Sequence, residues 1–405
     1  MKMTVRTETV IVSGVRTPIG RYGGALKEIS SGHLASHVIK EALVRANLNG
    51  DQVDEVILGE VRQSTESSNV ARVAALRAGI SETASAFTVN RLCASGMQAI
   101  ASAVQQIQSG QAEIVAAGGT ESMSCSPIYL RGARFGGDRA HLVDSNTEAG
   151  QQPKEIYGEN LGMGITAENV AEKYGVTRED QDAFALESQR RADTAIREGR
   201  FKGEIAPYEI QSKKGSFLVD ADEHPRPETT MEKLAKLKPA FRTNGTVTAG
   251  NACGRNDGAA AVIVMSLEKA EELNQKPLAR IVDWAAGGVS PEIMGIGPVP
   301  AVKKLLERTD KSINDIAIFE LNEAFASQSL AVIRELGLDH NKVNVNGGAI
   351  ALGHPVGSTG TRIVVTLLHE LIRRKERYGI ATLCVGGGQG MAILIENIAE
   401  SSIAN

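Results

Sequence analysis

The chain has 405 residues, 42% of them hydrophobic and 23% charged, with a formal net charge of −4. With no basic tract and no basic-aromatic stripe, this mild acidity excludes a nucleic-acid surface and argues only for solubility. No apolar run is long enough to cross a bilayer, and the start, Met1-Lys-Met-Thr-Val-Arg-Thr-Glu8, lacks a signal-peptide core and leads straight into a strand, so the cytosol is the expected compartment.

A helix is predicted over 32–47, where His33 and His37 lie four apart with no further ligand nearby and read as solvated or half-packed. Val53 to Glu60 reads as a strand, and Ala86 to Val89 as a second apolar stretch. Cys93 follows in Asn90-Arg-Leu-Cys-Ala-Ser-Gly96, ahead of Met97, Ile100, Val104 and Ile107 at helical spacing. The thiol therefore sits at a strand-to-helix turn, where the helix dipole favours thiolate. Glu113 to Gly119 is the next strand. From about 123 to 244 the chain is more polar. Arg131 to Arg139 carries scattered glycines, an amphipathic helix runs from about Ala167 through Lys173, another spans Arg178 to Glu198, and a loop holds Pro225 and Pro227. Such an insertion commonly carries substrate contacts on a rigid α/β scaffold. Gly245 to Gly258 then leads into the strand Ala259 to Met265. In the last third, Ile313 to Glu320 reads as a strand, and His354 sits in Ala351-Leu-Gly-His-Pro-Val-Gly357. A helix carries Ile363, Val364, Leu367 and Leu371, and a strand from Ile380 holds Cys384 before Gly386-Gly-Gly388.

The chain repeats itself weakly: Asp54 to Cys93 and Asp315 to His354 are both separations of 39 residues. Two related α/β halves are implied, each presenting one catalytic turn. The expected division is a first half at 1–122 plus 245–272, an inserted loop domain at 123–244, and a second half at 273–405.

Four cysteines with no Cys-x-x-Cys pair are too few and too scattered for a disulfide framework or a structural zinc site, so reduced thiols are expected. Cys125 reads as a small buried hydrophobe. Cys93, His354 and Cys384, each in a glycine-bearing turn, read as a nucleophile, its base and a second proton carrier. His141, His224, His340 and His369 show no ligand spacing, and there is no P-loop, so neither a metal nor a nicotinamide is expected. The glycines of Gly386-Gly-Gly-Gln-Gly390 precede the apolar strand Met391 to Ile395, whereas a dinucleotide fingerprint needs a helix there.

Seven segments, in order and in register, carry a family resemblance. They are Asn90 to Gly96, Gly118-Gly-Thr-Glu-Ser-Met123, Met163-Gly-Ile-Thr-Ala-Glu-Asn169, Gly250-Asn251 with Asn256-Asp-Gly258, Asn322-Glu-Ala-Phe-Ala326, Gly347 to Pro355, and Cys384-Val-Gly386. Over essentially its whole length the chain resembles a thiolase. The resemblance implies a five-layer α-β-α-β-α fold of two similar halves with an inserted loop domain, assembled as a homodimer or homotetramer. It implies an acyltransferase that joins two acetyl-CoA into acetoacetyl-CoA plus CoA, reversibly, through an acyl group on Cys93. His354 would deprotonate Cys93, and Cys384 would remove the methyl proton of acetyl-CoA or return it in thiolysis. One oxyanion hole would combine His354 with a water held by Asn322; the other would use the backbone N–H groups of Cys93 and Gly386. Acyl-CoA and CoA are the implied partners, with no separate cofactor, no nucleic acid and no membrane.

For the ligand, the resemblance points to Arg226 at the nucleotide end, Met163 in the acyl pocket, and Ala324, Phe325 and Cys253 along the CoA path. Cys253 stands where the family has serine, and a thiol is the poorer hydrogen-bonding group. Arg91 resembles degradative members and Met163 suits a short acyl pocket, so longer 3-oxoacyl-CoA is the alternative substrate. A condensing enzyme of the decarboxylating type would lack the match to Cys384. A non-catalytic acyl-CoA or lipid carrier on the same fold is the alternative from another class.

Overall fold

The computed structural model describes residues 7–136, 139–148, 150–213 and 215–399. The segment Met1 to Arg6, Gly137 within the Arg131 to Arg139 stretch, and the expected outer limits at 1 and 405 lie outside the described residues. The framework begins β1 (Thr9–Arg16), α1 (Ser31–Arg45), β2 (Glu55–Gly59), α2 (Val70–Arg77), β3 (Ser85–Val89), α3 (Ser95–Gln108) and β4 (Ile114–Ser122). The inserted segment holds α4 (Met163–Lys173) and α5 (Arg178–Arg197). The chain returns as β5 (Asn256–Ser266) and β6 (Ala279–Gly288), then α6 (Pro298–Thr309), β7 (Ile318–Leu321), α7 (Ala326–Leu336), α8 (Val356–Arg374), β8 (Tyr378–Val385) and β9 (Gln389–Asn397).

The strands run in the order β7-β8-β9-β6-β1-β5-β4-β2-β3. β2 is parallel to β3 and β4, and β7 is parallel to β8; the other neighbours are antiparallel. The two halves meet where Val10 and Ile11 of β1 pair with Arg280 and Ala279 of β6. Burial explains the layering. Every residue of α8 from Gly357 to Leu368 is buried, which suits a helix enclosed on all sides. It packs with α3 between the two halves of the sheet, in one core that joins Met97 and Ile100 to Ile363, Val364 and Leu367. Helix α1 buries Gly32 and the stripe Leu34, Ala35, Val38, Ile39, Ala42 and Leu43, and with α2 covers the outer face of the first half. Helices α6 and α7 cover the outer face of the second. Five layers result. Strand β5 is buried from Asn256 to Met265, consistent with its unbroken apolar run and its place between covered faces.

The expected strand Ile313 to Glu320 is split. Ser312 donates from its N–H and its hydroxyl to the Asp315 carboxylate at 2.7 Å each, so Ile313–Asp315 is a short 3-10 turn before β7. The first half places a matching turn at Gly50–Gln52 before β2. Asp54 thus lies past its turn while Asp315 lies inside its own, so the equal separations compared non-equivalent positions. The repeat itself rests on the elements. Strand β6 and helices α2, α6 and α7 were not anticipated, and the first insertion helix starts at Met163 rather than near Ala167. Cys125 is exposed, not buried, with its thiol donating to the Lys27 carbonyl at 3.1 Å.

Candidate active site

The two catalytic turns meet because glycines let the two central helices touch. A Cβ at Gly96 would lie 2.5 Å from the Thr361 hydroxyl, and one at Gly360 would strike the Met97 backbone nitrogen. With that crossing near both N-termini, the turn before α3 and the turn before α8 open toward one cavity of about 380 Å³.

On the first turn, Leu92 has φ of +47°, a left-handed conformation unusual for a leucine. Cross-bonding holds it there: the Leu92 N–H donates to Asn90 Oδ1 at 2.9 Å, the Arg91 N–H to Ser95 Oγ at 2.9 Å, and the Ser95 hydroxyl to the Leu92 carbonyl at 2.7 Å. Cys93 is thereby set half-buried on the cavity wall. Burial pushes its thiol above the ordinary value, opposed by the N–H groups of Gly386 and of Cys93 itself and by the charge of Arg62. The resting side chain is therefore a thiol and not the thiolate expected from the helix dipole, because desolvation outweighs those donors.

On the second turn, Gly353 has φ of +105°, and the His354 N–H donates to Asn256 Oδ1 at 2.9 Å. His354 Nδ1 lies 2.7 Å from the Thr359 hydroxyl, which itself donates to the Pro355 carbonyl at 2.8 Å. A hydroxyl has one proton to give. With that proton on the carbonyl, Thr359 accepts from His354, so the imidazole carries its proton on Nδ1 and Nε2 keeps a lone pair. Burial, with the Arg362 charge adding to it, pushes the imidazole down to about 3, so His354 is neutral at physiological pH. Among the described residues no hydrogen bond joins it to Cys93; both line the same cavity.

Cys384 is buried near the end of β8, and burial first, then Cys93 and Cys253, pushes its thiol well above the ordinary range. After it the chain turns through Gly387 at φ +78° and Gly388 at φ +85°. Cys253 lines the same cavity, with its N–H on the Ala324 carbonyl at 3.0 Å, and burial with Cys93 pushes its thiol up to about 12. Met163, Ala324, Phe325 and Gly386 also line it. Asn322 lies behind the wall, and both its amide atoms are buried without a hydrogen-bond partner. It does not cap a helix: α7 begins later, at Ala326. Arg226 is elsewhere. It lines a separate cavity of about 230 Å³ with His224, Lys233 and Gly250. His224 is half-buried there, and burial and then Arg226 lower its imidazole to about 4.

The chain matches the family model of the thiolase N-terminal domain over residues 9–268 and that of the C-terminal domain over residues 275–397. The chain belongs to the thiolase family. It is 50% identical over 395 residues to the acetyl-CoA acetyltransferase of Syntrophomonas wolfei, with 96% of this chain and 99% of the relative covered. Its fold matches the acetyl-CoA acetyltransferase of Bacillus anthracis with TM-score 0.94 at 50% identity, covering 97% of this chain and 99% of the other. It matches human mitochondrial 3-ketoacyl-CoA thiolase in complex with CoA with TM-score 0.91 at 44% identity, covering 96% and 98%.

Three residues of this thiolase escaped the sequence reading. Thr359 orients the imidazole; its signal lay in view, five residues after His354. Glu121, fully buried, accepts N–H bonds from Val61, Arg62 and Gly357 at 3.2, 2.9 and 2.8 Å, so one carboxylate ties the first half to the start of α8. Beside it, burial and then Glu121 push the Glu60 carboxyl up to about 8. Arg62 reaches the cavity from the end of β2, and nothing in its local sequence marks it.

Proposed function

We propose that this thiolase carries out reversible acyl transfer and Claisen chemistry on CoA thioesters, joining two acetyl-CoA into acetoacetyl-CoA and free CoA. The observation that carries the reading is the convergence on one cavity of Cys93, a neutral His354 held with its proton on Nδ1, and Cys384. In the forward direction Nε2 of His354 takes the Cys93 proton as the sulfur attacks the thioester carbon. CoA leaves with that proton, and the acetyl group stays on Cys93. We assign the carbonyl oxygen of the acyl group to the backbone N–H groups of Gly386 and Cys93, which favour negative charge on the Cys93 sulfur. The unpartnered amide of Asn322 suits a role in the second oxyanion site, together with His354.

His354, neutral again, takes the Cys384 proton; the thiolate so formed removes a methyl proton from a second acetyl-CoA, the enolate carbon attacks the acyl carbon, and Cys93 leaves and regains its proton from His354. A buried thiolate of raised basicity is a better match for a weak carbon acid than an exposed one. Run backwards, the neutral Cys384 thiol returns that proton to the departing acetyl group. We place the CoA arm along Cys253, Ala324 and Phe325 with its nucleotide end at the Arg226 cavity, the acyl group against Met163, and assign no further cofactor. We also keep the three-part division at 1–122 with 245–272, 123–244 and 273–405 as the working domain plan.

The same reading makes this a cytosolic enzyme, since it needs Cys93 and Cys384 as thiols, and a homodimer or homotetramer. Support for assembly is the hairpin of Ile128–Arg131 and His141–Asp144, which exposes Ile128, Leu130 and Leu142. Light scattering on the purified protein tests that. The central test is incubation with acetyl-CoA followed by peptide mass analysis. The expected result is one acetyl group on Cys93, absent in Cys93→Ala, with thiolysis of acetoacetyl-CoA lost in the same variant. Absence of both adduct and thiolysis in the wild type would overturn the proposal and favour the carrier reading.

A further inference from the structure

The turn that carries His354 rests on a side chain that is itself held from outside the catalytic cavity. Asn256 is fully buried, and a Cβ at Gly353 would lie 2.5 Å from its amide, so the amide fills the space beneath that turn. Its oxygen accepts the His354 N–H at 2.9 Å, which fixes the two ends of the amide. The nitrogen then has two protons to place. One goes to the Gly20 carbonyl at 3.0 Å, leaving the other for His224 Nδ1, 3.3 Å away. An amide nitrogen only donates, so His224 Nδ1 accepts and its imidazole carries its proton on Nε2. That bond needs a neutral ring, and burial first, then Arg226 and Arg21, lower His224 to about 4.

His224 is placed to hold the amide rather than to follow it, because its segment is pinned to the core on both sides. Asp222 takes both terminal nitrogens of Arg16 at 2.7 and 2.9 Å, and the Glu223 carboxylate accepts the N–H groups of Arg21 and Ala25 at 3.0 and 3.1 Å. On the other side the Arg226 N–H donates to Gln189 Oε1 at 2.8 Å. We infer that His224 is a positioning residue for the catalytic base: by accepting from Asn256 it fixes the amide that holds the His354 backbone, and with it the setting of the imidazole beside Cys93. This rests on the reading of His354 as the base that serves Cys93. His224 also lines the cavity proposed above for the nucleotide end of CoA. A contact with CoA alone would act on substrate binding, whereas a positioning residue acts on Cys93 with no CoA present.

Three substitutions separate these roles. Asparagine keeps an acceptor where Nδ1 stands, glutamine moves the polar end out to the place of Nε2, and leucine removes both. The readouts are iodoacetamide alkylation of Cys93 without CoA, followed on its peptide by mass spectrometry, and kcat and KM for thiolysis of acetoacetyl-CoA. His224→Leu and His224→Gln are expected to lower the alkylation rate and kcat together by about 10- to 100-fold, the scale of a misplaced catalytic group. His224→Asn should recover most of both. A raised KM in His224→Leu with alkylation and kcat unchanged makes His224 a CoA contact and overturns the assignment, as does a folded His224→Asn protein as slow as His224→Leu. Nitrogen NMR of the wild-type ring decides independently of any variant's folding: Nδ1 is expected bare and Nε2 protonated at neutral pH, and the opposite tautomer overturns the inference. Alkylation slowed by His354→Ala but not by His224→Leu sinks the inference alone; alkylation that neither substitution slows sinks the base assignment beneath it as well.

Discussion

Replacing Thr359 by valine tests the proton placement on which the proposed chemistry depends. The side chains are nearly isosteric and the site is fully buried, so packing is preserved while one hydroxyl is lost. That hydroxyl accepts from His354 Nδ1 at 2.7 Å while donating to the Pro355 carbonyl. Without it, the Nδ1–H form of the imidazole leaves a buried donor unsatisfied, which costs about 1–3 kcal/mol. The Nε2–H form becomes favoured by the same amount, so the fraction of His354 presenting a lone pair to Cys93 falls by roughly 5- to 150-fold at RT of about 0.6 kcal/mol. The assay is iodoacetamide alkylation at neutral pH, followed by mass spectrometry on the Cys93 peptide so that exposed Cys125 does not interfere. Alkylation of Cys93 and thiolysis of acetoacetyl-CoA should fall together within that range, and Thr359→Ser, which keeps the hydroxyl, should recover most of both. A folded Thr359→Val protein that alkylates at the wild-type rate would refute the argument, and with it the claim that His354 acts through Nε2.

Three further outcomes are expected. Cys384→Ala should still take an acetyl group on Cys93 but should lose deuterium exchange of the acetyl methyl protons and acetoacetyl-CoA formation together; near-normal exchange would assign the carbon base elsewhere. His354, at about 3 folded against 6.5 unfolded, makes the folded state lose stability as pH falls from 6.5 toward 3, because over that window the unfolded chain binds a proton that the folded one refuses. The loss is at most about 5 kcal/mol at roughly 1.4 kcal/mol per pH unit, so urea melts of His354→Gln should show a shallower acid decline, and parallel curves would refute the assignment. Gly360→Val should destabilise the fold by about 3 kcal/mol or more, read as a lowered melting temperature, since even a Cβ would strike the Met97 backbone; an unchanged melting temperature would mean that α3 and α8 do not cross there.

Cys93, His354 and Cys384 were legible because each lies in a turn whose glycines and neighbours are local in the chain. The layers were legible in part: the all-round burial of α8 shows in its run of small and apolar residues, whereas β6, interrupted by Arg280 and Asp283, carries no comparable pattern. The length of a spacing misled where the turn ahead of β7 consumed residues that the first half spends differently. What local reading could not reach are the groups that set the chemistry of those turns. Glu121 bonds Gly357 across 236 residues, and Asn256 bonds His354 across 98. Arg62 acts on Cys93 across the cavity only because β2 and α3 belong to the same half. A pattern of residue types can mark where a nucleophile and a base stand. Whether the cysteine rests as a thiol and which imidazole nitrogen is free are set by partners that only the fold brings together. For that reason the residue chosen for the test of tautomer, Thr359, lies outside the set that the sequence singled out.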